Sequence, residues 1–289
     1  MRYYTTTGGT VVCERENTFY DVDAAGSDDR RFRDLLAATN GDQTVDELVD
    51  RLIEDGGARA RGVSFDPSTD AAMPVQPDEV WGAGVTYAIS QESREDVGQI
   101  GETYLDAYEA DRPEIYFKAT PTRTVGPGES VGVRADSSWD VPEPELSVVL
   151  YEGEIVGYTI GNDVCSREIE RQNLLYLPQS KTYRDCCAIG PCVVTPETVG
   201  DPHDLEMAME IVRGGEAVFD GSTSTGEMVR TVQELTEDLN RCNYVPEVAV
   251  LLTGTSIIPP DDTSLQPGDE VRIEIENVGV LSNTVTEVG

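Results

Sequence analysis

PEPELSVVLYEGEIVGYTIGND, residues Pro142 to Asp163, is the stretch on which the fold turns. Leu146 to Leu150 and Ile155 to Ile160 are apolar runs of strand length, and Glu152-Gly153 between them is a turn signal, so the segment predicts a β-hairpin. Side chains alternate across a strand, and Glu143 and Glu145 therefore share a face. With the loop centred on Gly153, residue 163 falls opposite residue 143, and Asp163 joins the two glutamates. A slip of one residue turns it away. Three carboxylates converging on one point repel strongly unless a cation neutralises them. All-oxygen ligation suits Mg²⁺, with Mn²⁺ and Ca²⁺ as alternatives, and leaves positions open for water and substrate. A plainer account stays open at this level: in a very acidic chain, Glu143 and Glu145 are ordinary solvated strand residues.

The chain of 289 residues carries 55 acidic side chains against 21 basic ones, a formal charge of −34. The charge is dispersed between apolar β-rich runs, which argues for a folded protein adapted to high salt, where self-repulsion is screened. This charge argues against nucleic acid or an anionic membrane as partner, since either would be repelled. Only two of the basic residues are lysines, Lys118 and Lys181, so each is a candidate for a specific role. Period-two alternation in Glu114 to Lys118 puts Glu114, Tyr116 and Lys118 on one face, with Ile115 and Phe117 on the other. An acid and an amine on one face suit proton transfer as well as a structural ion pair. The six cysteines show no CxxC pair and no zinc spacing with the lone His203. With no apolar run of membrane-spanning length and no secretory pattern at Met1, the chain reads as cytoplasmic and reduced.

Residues 1–72 read as a small module with β-like pieces at Thr10 to Cys13 and Thr18 to Val22. Helical patterns follow at Arg31 to Ala38 and Val45 to Ile53, the second capped by Asp42 or Thr44. Asp66 to Asp78 reads as a linker into a main domain over 73–289. There Glu79 to Tyr87 is a buried strand whose glycines permit close backbone approach, and Ser90 to Ala110 is a polar helix that could serve as a lid or simply as a solvated surface. Val248 to Thr255 is a strand ending in a Thr253-Gly254-Thr255 loop suited to gripping a carboxylate. Gly268 to Ile275 is the clearest alternating strand.

From Trp81 to Val288 the ordered motifs FKATPTRTVGPGESV, PEPELSVVL, GYTIGNDVCSRE, QSKTY, AIGPCVV, LLTGTS and LQPGDEVRIEIENVGVLSNTV resemble the fumarylacetoacetate hydrolase superfamily. The resemblance implies an α+β, mostly β fold, a mixed β-sandwich or roll of that family's C-terminal type with a small N-terminal α+β module. It implies a divalent ion, Mg²⁺ or another, on Glu143, Glu145 and Asp163. Lys181 and Thr255 are placed at the substrate, with Tyr87, Lys118 and Ser180 beside it. Hydrolytic members have a His-Glu pair after the strand matching Val85 to Tyr87, whereas this chain has Ala88 to Glu92 without histidine. It looks instead like the sugar-acid dehydratase branch, which implies a 2-keto-3-deoxy sugar acid as substrate, 2,5-dioxopentanoate and water as products, and a homo-oligomer, dimer or tetramer. In such chemistry Lys181 is the base or enolate stabiliser, its pKa lowered by burial if it is the base, and Glu114 moves the other proton. An acylpyruvate-type hydrolase or decarboxylase, and a non-catalytic cation-binding protein, are the alternatives.

Overall fold

The computed structural model describes residues 1–22, 32–39, 43–61, 65–88 and 106–289. The hairpin forms as strands Pro144–Tyr151 and Glu154–Asp163. Its turn is the two residues Glu152 and Gly153, both at positive φ (51° and 84°), the arrangement whose twist matches a right-handed strand pair. Tyr151 pairs with Glu154 and Leu150 with Ile155, then Val156 is an extra residue, and pairing resumes one step shifted at Val149 with Gly157. The bulge restores the register expected from a loop centred on Gly153. Pro144 faces Asn162, and the Asp163 N–H donates to the Glu143 carbonyl at 2.9 Å.

This hairpin lies in the middle of a twelve-stranded sheet. On one side run Cys187–Val194, Arg2–Thr6, Val11–Arg15, Thr18–Asp21 and Arg59–Ala60; on the other, Val248–Leu252, Glu79–Gly84 and Glu114–Ala119. Leu146, Val148 and Leu150 face a second sheet of Glu216–Ser224, Glu206–Arg213, Glu270–Ile275, Gly279–Val288 and Ser130–Arg134, packing with Met207, Met209, Ile273 and Ile275. Val149 faces the other way, into a cluster with Tyr3 of strand Arg2–Thr6 and with Phe32, Leu35 and Val49 from helices Phe32–Ala37 and Val45–Glu54. Covered on both faces, the hairpin strand reads as an unbroken apolar run, and each fully buried Leu or Val contributes about 2 kcal/mol relative to exposure. Glu270–Ile275 has one face in solvent and alternates as expected.

Thr44 caps its helix in a reciprocal box with Glu47. Asp42, and residues 90–105 of the expected lid helix, lie outside the described residues. The boundary expected at 72 falls within the first sheet, since Arg2 pairs with Val194 and Thr5 with Ala72. The segment read as a linker is structured: Asp66 caps the short helix Pro67–Asp70, and Ala71–Ala72 is a strand. Strand Arg2–Thr6 was not expected, because five residues of mixed polarity carry little periodicity until a partner is known.

Candidate active site

Glu143, Glu145 and Asp163 meet at one end of the hairpin, where one strand begins and its antiparallel partner stops. All three are buried, and one carboxylate oxygen from each lies within 4.8 Å of the others. The adjoining Val248–Leu252 strand ends in the Thr-Gly-Thr loop at the same place. Its Gly254 N–H donates to Glu145 Oε2 at 2.5 Å, and the Thr253 hydroxyl to the Leu146 carbonyl at 2.6 Å. The loop does grip a carboxylate through its backbone, and that carboxylate belongs to the protein.

Strand Glu114–Ala119 stands four places from Glu154–Asp163 along the sheet, about 19 Å if the sheet were flat. The sheet curls instead, and this outer strand closes over the carboxylates. Lys118, with no exposed surface, pairs with Asp163 Oδ1 at 2.5 Å and donates to the carbonyls of Val164 (2.8 Å) and Lys181 (2.6 Å). The Tyr116 hydroxyl donates to Asp163 Oδ2. Reaching inward requires Tyr116 and Glu114 to cross the neighbouring strand, which they do above Gly82 and Gly84. A Cβ on Gly82 would stand 2.5 Å from the Tyr116 ring, and one on Gly84 would strike the Glu114 carboxylate. The glycines of VWGAG are there because any side chain would occupy the path.

Helix Leu177–Lys181 delivers Lys181, whose Nζ pairs with Glu143 Oε2 and stands 3.4 Å from Asp163 Oδ2. Helix Arg167–Gln172 delivers Arg167, which holds Glu143 Oε1 with one nitrogen and Glu170 Oε2 with another, both at 2.8 Å. Arg167 and Glu170 escaped the sequence reading. They lie three apart on one helix face, but nothing in composition distinguishes one arginine among many. Tyr116 was placed on the correct face of its strand without a role.

Among the substrate-side residues expected from sequence, Tyr87 is buried, with no hydrogen-bond partner for its hydroxyl among the described residues. Burial, then Glu145, pushes its phenol up. The Ser180 hydroxyl donates to the Leu177 carbonyl of its own helix at 2.9 Å, and Thr255 Oγ accepts the Ile257 N–H at 3.1 Å. The three N–H bonds of Lys118 are all spent on protein groups, so its contacts are with Asp163 and the backbone. His203 accepts the Val232 N–H at 3.0 Å, in keeping with its exclusion from the site. Glu114 lines a cavity of about 260 Å³ with Val85, Arg112, Glu170, Leu174 and Leu177.

Burial opposes the charges on both lysines. Asp163 together with their other neighbours, Cys186 at Lys118 and Cys165 and Glu143 at Lys181, outweighs it and holds both ammonium groups above their ordinary values. Burial does lower Lys181, as a role as base would require, but the net shift is upward because Asp163, Cys165 and Glu143 favour the protonated form. Burial, then Asp163, pushes Glu145 well above the carboxylate range, while Lys118 and Lys181 overcome burial at Asp163 and hold it low. Burial also raises Glu114, against the pull of Lys181. Three buried carboxylates meeting at one point fit a hard cation of Mg²⁺ type.

Residues 79–286 match the family model described as fumarylacetoacetate (FAA) hydrolase C-terminal. The chain is 53% identical over 281 residues, 96% of each chain, to a probable 2-keto-3-deoxyxylonate dehydratase of Haloferax volcanii. It is 48% identical over 217 residues, 73% of each chain, to the 2-dehydro-3-deoxy-D-arabinonate dehydratase of Saccharolobus solfataricus. A solved structure of 2-keto-3-deoxy-D-arabinonate dehydratase complexed with magnesium and 2,5-dioxopentanoate superposes with a TM-score of 0.81 at 35% identity, covering 99% of this chain and 98% of that one.

Proposed function

The chain belongs to the fumarylacetoacetate hydrolase family, and from that premise we propose that it is a magnesium-dependent hydro-lyase converting a 2-keto-3-deoxy-pentonate to 2,5-dioxopentanoate and water. The observation that carries the reading is the buried Glu143, Glu145 and Asp163 triad, with an amine and a raised carboxyl on its rim and no histidine to activate water. Those three residues would hold Mg²⁺, which when bound supplies positive charge against the carboxylate and keto oxygens of a 2-keto acid.

The remaining chemistry falls to the protein's own groups. Glu114, raised by burial, takes the carbon-3 proton, as a carboxyl shifted toward neutral pH is suited to do. Lys181, held as an ammonium, stabilises the oxyanion that develops and hands a proton to the departing carbon-4 hydroxyl. The carbon-3 C–H and carbon-4 C–O bonds break and water leaves; proton transfer from carbon 5 back to carbon 3 then gives a terminal enol, whose hydroxyl proton moves to carbon 4 to leave the aldehyde. Lys118 and Tyr116 keep Asp163 aimed, and Tyr87, Ser180 and Thr255 border the substrate.

We also place the protein in the cytoplasm as a homo-oligomer of a salt-adapted cell. The free state of all six thiols and the −34 charge support this, together with the exposed apolar side chains of Leu175 and Tyr244. The deciding experiment offers purified protein a panel of 2-keto-3-deoxy-pentonates in molar KCl, with Mg²⁺ and with chelator, reading 2,5-dioxopentanoate. Magnesium-dependent product from at least one epimer is expected, and dehydration of none sinks the proposal.

A further inference from the structure

Val85 adopts a backbone conformation that its side chain disfavours. Its φ is 56°, in the left-handed region, and among the described residues it is the only β-branched side chain with positive φ. Crowding at a branched Cβ makes that backbone costly, whereas glycine adopts it freely. The conformation is imposed from both sides. Gly84 before it pairs with Glu114, and after it the Thr86 hydroxyl donates to the Thr253 carbonyl at 2.5 Å while the Thr86 carbonyl accepts the Val229 N–H at 2.8 Å. The Ala88 N–H donates to the Glu227 carbonyl at 2.9 Å and closes the segment. A strained residue held this firmly calls for a use of its side chain, since glycine would serve the backbone better.

That side chain does not fill the core. In a strand that alternates, residue 85 would follow Ala83 onto the face packed against the second sheet. The left-handed turn takes it out of the alternation, and Val85 packs in neither apolar core cluster of the described residues. Half-buried, it lines the cavity of about 260 Å³ instead, with Glu114, Glu170 and Arg112 as polar neighbours and Leu174 and Leu177 as apolar ones. The Glu114 carboxyl, assigned above to the carbon-3 proton, crosses directly above Gly84. Val85 is therefore the first side chain beyond it along the strand.

We propose that Val85 is a specificity-determining residue, setting its isopropyl group against the carbon-3 methylene of the substrate and so selecting 2-keto-3-deoxy acids over 2-keto acids that keep a carbon-3 hydroxyl. The inference rests on the dehydratase reading above and names what recognises the missing hydroxyl. Carbon 3 is the one carbon of such a chain that carries no oxygen, so an apolar surface beside Glu114 matches the substrate only there. A hydroxyl at that carbon would lie against the valine methyl groups without a partner, and burying an unpartnered hydroxyl is unfavourable. Threonine at residue 85 would supply the partner with little change of shape, because it is branched at Cβ like valine and carries the same backbone strain.

Calorimetry with Mg²⁺ in molar KCl tests this with 2-oxopentanoate and 3-hydroxy-2-oxopentanoate. The two acids differ only in the carbon-3 hydroxyl, and neither has the carbon-4 hydroxyl that leaves, so neither is dehydrated. The parent is expected to bind 2-oxopentanoate at least about tenfold more tightly than the weaker-binding enantiomer of the hydroxy acid, and Val85→Thr to narrow that ratio to about twofold. Val85→Gly is expected to lose the discrimination too and to melt no lower than the parent, because released strain offsets the lost side chain. A parent ratio near one, a ratio that Val85→Thr leaves unchanged, or a Val85→Gly variant that melts well below the parent overturns the inference. Failure of 2-oxopentanoate to bind the parent at all would sink the 2-keto-acid reading itself, and this inference with it.

Discussion

Lys118 has no exposed surface, and each of its donors meets an acceptor: Asp163, the Val164 carbonyl and the Lys181 carbonyl. Scarcity of lysine in the sequence marked it correctly as non-decorative, but its work is to orient a carboxylate and staple the Lys181 helix to the sheet. Removing one member of a buried pair leaves the other uncompensated, so Lys118→Met is expected to cost about 3–5 kcal/mol. Chemical denaturation in molar KCl measures this, and a loss within experimental error would mean that Lys181 and Tyr116 suffice to compensate Asp163. Lys181 is the contrasting case. Its burial was foreseeable and the direction of its pKa was not, because that direction depends on how closely Asp163 and Glu143 approach.

Among the elements, the hairpin carries the site, and its register is the product of two local features. A two-residue turn alone would set Asp163 one step out of place, and the bulge at Val156 corrects it. Placing the loop centre on Gly153 gave the right pairing because the two offsets act together. Strand Glu79–Gly84 makes a subtler contribution by leaving out side chains. With the fold intact, a Cβ at residue 84 displaces the Glu114 carboxylate, and displacement of a catalytic group by about 1 Å costs on the order of 10²-fold in rate. Gly84→Ala is therefore expected to lower kcat by that order with little change in melting temperature. Steady-state kinetics beside a thermal melt would refute this if kcat stayed near the parent value.

For the molecule as a whole, the surface charge and the buried charge should respond differently to salt. The surplus of surface carboxylates repels at a range set by the Debye length, about 10 Å at 0.1 M and about 3 Å at 1 M salt, so stability is expected to climb with KCl. The buried triad is shielded by protein and is screened much less. Mg²⁺ at about a hundred times its dissociation constant adds roughly 2.7 kcal/mol, and this increment is expected to persist in molar KCl and to vanish with chelator. If melting curves show the Mg²⁺ increment disappearing in high KCl, the ion is acting on the acidic surface and not in the site.

What the sequence determined by itself is local or periodic. Alternation, turn chemistry and spacing located the hairpin, put Glu143, Glu145 and Asp163 together, and set Glu114, Tyr116 and Lys118 on one strand face. These follow from the two-residue strand period and the positive φ of a tight turn, which operate within a few residues. The tertiary structure alone decided that this strand, distant along the sheet, folds back over the carboxylates, that the Thr-Gly-Thr loop holds Glu145, and that Arg167 holds Glu143 from behind. Those contacts depend on the curl of a whole sheet, accumulated from strand twist and from the packing of both faces. No window of sequence contains that sum.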